Sequence, residues 1–171
     1  MTDDSIFSQI FKLDTSNLLE QEKYWSEIHE LNIDFTKYFL QAYPKFRKWQ
    51  GRVHLVFSCI RYARINENAF KLGILALSDK ATLVRYRGAC ILAYSLREDA
   101  IPYLKKNLNH PDLETQKDCK RAIKAIKKRN HHIFMEHRAS SWVVNESDET
   151  EFKNSTRLFE KLKSFIHPFR L

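Results

Sequence analysis

Glycine and proline are scarce in this chain, with 3 and 4 residues among 171, about a third of their usual combined share. Hairpin turns, bulges and phosphate-cradling loops all draw on glycine, so β-sandwiches and dinucleotide-binding folds are disfavoured. Cysteine is scarce too. Cys59, Cys90 and Cys119 are an odd count with no close pair, which leaves no CxxC metal or redox motif and points to reduced thiols in a cytoplasmic protein. Long hydrophobic runs are missing, and stretches such as Leu72 to Leu77 fall far short of a bilayer span. The chain opens on Thr2-Asp3-Asp4, acidic where a secretory signal would be basic. A cytoplasmic protein without a membrane partner is the expectation.

What the chain does have is helical periodicity. Phe35, Tyr38, Phe39 and Ala42 fall on one helix face, with Asp34 placed to cap its start. Val53, Val56, Phe57 and Ile60 repeat the pattern, as do Cys119, Ala122, Ile123 and Ile126, and again Leu158, Phe159, Leu162, Phe165 and Ile166. Asp148 and Glu151 read as a capping box before that last helix. Pro44, Asn66, Asp79, Asp99 and the His110-Pro111-Asp112 turn separate the apolar stripes. The spacing predicts helices over 5–12, 17–31, 34–43, 49–65, 67–78, 83–97, 100–109, 113–130 and 149–167, with a packed loop at 131–147 and no strand. One all-α domain is expected over 1–171, made of N-terminal helices (1–48), a repeated centre (49–130) and a loop with a C-terminal capping helix (131–171).

The centre repeats itself. Its cysteines lie 31 and 29 residues apart, and Val84-Arg85 with Gly88 aligns with Thr115-Gln116 and Cys119 at a spacing of 31. A single helix pair cannot bury its apolar stripe alone, so pairs of this kind must stack. Leu77-Ser78-Asp79, Leu83-Val84-Arg85, Gly88-Ala89, Leu92 and Leu96, then Asp99-Ala100-Ile101-Pro102 and the restart at Pro111-Asp112, resemble the HEAT-repeat pattern over about residues 50–130. The resemblance implies an α-α superhelix, a short HEAT-like solenoid, whose inner face is lined by the helices at 83–97 and 113–130. It also implies that Asp79 pairs with Arg85 to hold the turn, and that the chain is a binding scaffold for proteins and sometimes nucleic acids.

Charge is laid out in blocks. Residues 1–34 carry two basic and eight acidic groups, residues 35–64 seven basic and no acidic, and residues 105–138 ten basic and four acidic. On the faces opposite the core stripes stand Arg61 and Tyr62, then Tyr86, Arg87, Tyr94 and Arg97, then Lys117, Lys120, Arg121, Lys124 and Lys128. Stacking would align them as one cationic, tyrosine-bearing binding surface, because tyrosine offers stiff contact area and arginine grips carboxylates or phosphates. A solvated lysine face, with tyrosines filling space between helices, is the plain structural alternative. Glu20, Glu22, Glu27 and Glu30 form a second, acidic candidate surface; more simply, Glu20 and Glu22 near the helix start complement its dipole.

Chemistry finds little footing. His131, His132 and His137 have no zinc-ligand spacing. Asp112 and Glu151-Phe152-Lys153 superficially match a metal-dependent nuclease set, but both pieces fall at helix starts. His54 and Cys59 point to different faces of one helix. No catalytic residue, metal or cofactor is therefore expected, although DNA glycosylases built on HEAT-like repeats exist. Small solitary helical-repeat proteins of this kind occur as immunity proteins of bacterial toxin systems, and the resemblance therefore implies a protein partner, a cognate toxin occluded by this chain. Nucleic-acid binding through the basic face is the alternative.

Overall fold

The structure is a computed structural model that describes residues 2–135. The chain divides into two units, residues 1–134 and residues 135–171, and nearly all described residues belong to the first. The helix expected at 149–167, its Asp148 capping box and residues 136–147 of the expected loop lie outside the described residues.

Every regular element among the described residues is helical: α1 Asp3–Phe11, α2 Leu18–Glu30, α3 Phe35–Ala42, α4 Trp49–Cys59, α5 Glu67–Ala76, α6 Thr82–Ser95, α7 Ile101–Lys106, α8 Leu113–Lys127 and α9 His132–Met135, with single 3₁₀ turns before α4, after α4 and before α7. The starts follow from short polar side chains accepting from the first free amides. Asn17, Asp34, Asn66 and Asp112 cap α2, α3, α5 and α8 in this way. α4 has no side-chain cap of this kind; both oxygens of Asp14 instead fix the chain just ahead of it, accepting from the amides of Arg47 and Lys48 at 2.9 and 2.7 Å.

Helix ends show how the chain manages with little glycine. Asn32, Leu96 and Arg129 take the left-handed conformation, with φ of 49°, 54° and 50°, at the ends of α2, α6 and α8. A glycine would adopt it freely, whereas a branched or long side chain there costs about 1 kcal/mol. The glycines are used instead for close helix approach. A Cβ on Gly88 would lie 2.8 Å from the carbonyl oxygen of Gly73 and 2.9 Å from the Cβ of Ala76, so α5 and α6 meet backbone to backbone.

α3 packs on α1 and α5, and α5 packs on α6, while α6 lies between α4 and α8 and α7 packs on α8. α6 is therefore the core of the unit. Eleven of its fourteen residues are buried, and such a helix shows no polar stripe because every face meets a neighbour. The α3 stripe expected from the sequence is buried, with Phe39 and Ala42 at 0% exposure. The α4 stripe is not wholly so: Phe57 is 45% exposed, and the face that α4 buries runs through Gly51, Leu55, Val56 and Cys59. The helix expected to run to residue 65 gives way to a 3₁₀ turn at Ile60–Tyr62.

Candidate functional site

Two arginines anchor the turns, Arg85 buried and Arg52 half-buried. In α6, Arg85 donates from Nη1 to the carbonyl oxygens of Asp79 (2.7 Å) and Lys80 (2.9 Å), from Nη2 to Asp112 Oδ2 (2.6 Å) and Thr82 Oγ1 (3.0 Å), and from Nε to Thr115 Oγ1 (2.8 Å). In α4, Arg52 donates from Nη1 to the carbonyls of Phe46 and Arg47, and from Nε and Nη2 to the two oxygens of Asp79. Arg52 and Arg85 stand 33 residues apart, as do Asp79 and Asp112, and each arginine reaches carbonyls five and six residues behind it and a carboxylate 27 ahead. The recurrence is thus 33 residues, not the 31 suggested by Thr115-Gln116. The expected Asp79–Arg85 side-chain pair does not form. Each carboxylate serves the preceding arginine, and Arg85 touches Asp79 only at its backbone.

Asp79 also accepts from the Tyr43 hydroxyl (2.5 Å) and the Ala81 amide (2.8 Å). Burial alone would raise its pKa, but the hydrogen bonds from Arg52, Tyr43 and Ala81 outweigh it and hold the carboxyl below its ordinary value. Asp112 is held down against desolvation in the same way, by Thr82, Arg85, Thr115 and the Glu114 amide. These groups are occupied by structure.

The tyrosine-bearing groove expected on α6 is sealed. Tyr86 and Tyr94 are 5% and 3% exposed. After Arg129 the chain turns back over α6, where Phe134 stacks on Tyr86 at 5.8 Å and His131 meets Tyr94 edge-on at 5.1 Å. Arg64 tightens the closure, donating to the Tyr94 carbonyl at 2.9 Å with its guanidinium 4.4 Å above the Tyr94 ring. Arg87 is half-buried between the rings of Phe57 and Tyr86. Arg97 is engaged by Glu67 and Asp99, both at 2.6 Å, and lies 3.6 Å over Phe70. Tyr62 is half-buried against Phe35, and Arg61 is exposed. Sequence spacing could not reveal this cover, because the covering segment has no period of its own.

The α8 side of the expected surface is open. Lys117, Lys120, Lys124 and Lys128 are exposed at one per helical turn and Arg121 is half-buried, a row spanning about 16 Å. Lys117 pairs with Glu114 at 2.8 Å. Lys120, Lys124 and Lys128 make no ion pair among the described residues. The reading of the sequence missed three further exposed cations: Lys127 on α8, and Lys105 and Lys106 on α7, which packs on α8. Lys106 sits 5.6 Å over the ring of Tyr103, itself 40% exposed. The signal was available in the block of charge over 105–138.

Other candidates are quieter. The acidic residues Glu20, Glu22 and Glu30 of α2 are exposed and Glu27 is half-buried. His131 and His132 are buried, their rings 4.0 Å apart, while His137 lies outside the described residues. Among the described residues no three His, Cys, Asp or Glu side chains gather as a metal site. Asp112 is a helix cap, and Glu151 and Lys153 lie outside the described residues. A cleft of about 580 Å³ opens at the turns before α4 and α6, lined in part by Tyr43, Arg47, Arg52, Leu75, Asp79 and Lys80. No helix among the described residues is long and apolar enough to cross a membrane.

No protein-family model and no curated protein matches the chain. The unit thus combines an arginine–carboxylate arrangement that recurs once, 33 residues on, with tyrosines sealed on α6 and exposed cations on α8.

Proposed function

We propose that the chain is a short HEAT-like α-α superhelix that acts without chemistry, as a cytoplasmic protein that binds a macromolecular partner. The observation that carries this reading is the recurrence of the Arg52–Asp79 arrangement at Arg85–Asp112. Successive helix pairs held by the same device make a stiff platform, and a stiff platform loses little entropy on binding. The partner is a protein with an acidic face, and the most specific form of the reading is an immunity protein that occludes a cognate toxin. Lys105, Lys120, Lys124 and Lys128 supply attraction and register, while Tyr103 beside Lys106 supplies an aromatic contact that the buried Tyr86 and Tyr94 do not.

Co-expression with the product of the adjacent gene tests it. Rescue of growth, and a complex that survives gel filtration at moderate salt, are expected; toxicity without a complex would remove the reading. A second reading, nucleic-acid binding, is favoured by the single-sign row on α8. It requires retention that falls steeply with salt and disappears in Arg121→Glu/Lys124→Glu.

A further inference from the structure

The cleft beside the Asp79 network is not explained by the α8 surface. Its one lining carboxylate is spent, since Asp79 accepts from Arg52, Tyr43 and Ala81 and its side chain is 4% exposed. Two lining cations are not spent. Arg47 and Lys80 are exposed, and neither side chain has a hydrogen bond or ion pair among the described residues. Leu75, 40% exposed, adds an aliphatic wall.

The register makes these two cations a pair. Arg47 and Lys80 occupy the same position one recurrence apart, for their carbonyls accept the equivalent Nη1 bonds of Arg52 and Arg85. α4 and α6 are in contact, and helices in contact lie about 8–10 Å apart, which sets the scale for the gap between the turns at their starts. The next equivalent residue is Leu113, 64% exposed, and the cationic pair ends there. A polyproline II segment rises about 3.1 Å per residue with three residues per turn, placing every third side chain on one face about 9 Å apart.

We propose that this cleft is a docking site for an acidic peptide segment of the protein partner, extended in polyproline II form with carboxylates three residues apart facing Arg47 and Lys80. The site rests on the protein-binding reading above and names a contact separate from α8.

The test is an NMR titration of the full chain with a proline-based peptide carrying two glutamates three residues apart. Its glutamine counterpart and inorganic phosphate serve as controls. Saturable shifts confined to the amides around Arg47 and Ser78–Ala81 are expected for the glutamate peptide alone. Arg47→Glu/Lys80→Glu should weaken them about tenfold or more, while its spectrum stays folded, because both side chains are exposed and unbonded. Lys124→Glu/Lys128→Glu should leave them unchanged. Equal shifts with phosphate, persistence in the Arg47/Lys80 variant, or shifts appearing on α8 would each overturn the site. Failure of the wider reading shows separately, as loss of the partner complex itself.

Discussion

Consider Arg85→Ala. The guanidinium is 6% exposed and makes five hydrogen bonds, so truncation strips partners from the carbonyls of Asp79 and Lys80, from two threonine hydroxyls and from Asp112. Removing one member of a fully buried pair costs about 3–5 kcal/mol. Asp112 is 26% exposed and keeps Thr82, Thr115 and the Glu114 amide, which places the cost near the lower end, about 3 kcal/mol. For a unit of this size that corresponds to a fall in Tm of about 10 °C. Arg97→Ala is the internal control. Arg97 also meets two carboxylates, but they are 53% and 58% exposed, and a loss of about 1 kcal/mol or less is expected. Urea unfolding of both variants, with Asp112→Ala completing a double-mutant cycle on Arg85, measures the difference directly. Equal costs for Arg85→Ala and Arg97→Ala would refute the arginine–carboxylate arrangement as the element that holds the helix pairs together.

Other perturbations test neighbouring parts of the account. Gly88→Ala puts a methyl group 2.8 Å from the Gly73 carbonyl oxygen, and a loss of about 1–3 kcal/mol by denaturant unfolding is expected; neutrality would mean that α5 and α6 do not meet so closely. Burial lowers the His54 pKa from 6.5 to about 4, where Nε2 is sealed without a hydrogen bond and the ring lies 5.4 Å from Trp25. The unfolded chain then binds the extra proton between those values. Stability is therefore full above pH 6.5 and falls towards pH 4, by about 3 kcal/mol at most, and His54→Phe should flatten that limb of the pH profile. The thiols of Cys59, Cys90 and Cys119 are buried, and burial pushes Cys90 and Cys119 up to about 12. A thiol reagent should label the native chain only at its unfolding rate, and fast labelling would contradict the packing of α6.

Local chemistry was the most legible part of the sequence. Asp34 and Asp112 cap where short acceptors before apolar stripes should; the stripe of α3 is buried as its period requires, and that of α8 is buried except for half-buried Ile123. Pair geometry was less legible. Asp79 and Arg85 are six residues apart and look like partners, but Asp79 is held by Arg52 from the preceding turn and Arg85 reaches forward to Asp112. A contact 27 residues long leaves no mark in a local pattern. The tyrosines failed for a related reason. Tyr86 and Tyr94 lie opposite the stripe of a helix that turned out to have neighbours on every side, including a segment that begins only after the left-handed turn at Arg129. The lysines were easier to place, since a long charged side chain with no carboxylate nearby stays in water.

The proposed acidic protein partner would be held by the exposed cations of α8 and α7. Isothermal titration of the adjacent gene's product into the chain and into Lys120→Glu/Lys124→Glu/Lys128→Glu tests it most directly. Saturable binding by the wild-type chain, weakened about a hundredfold or more by the triple reversal while the fold stays intact, is the expected result. Absence of heat with the wild-type chain, or equal affinity for the reversed one, would contradict it.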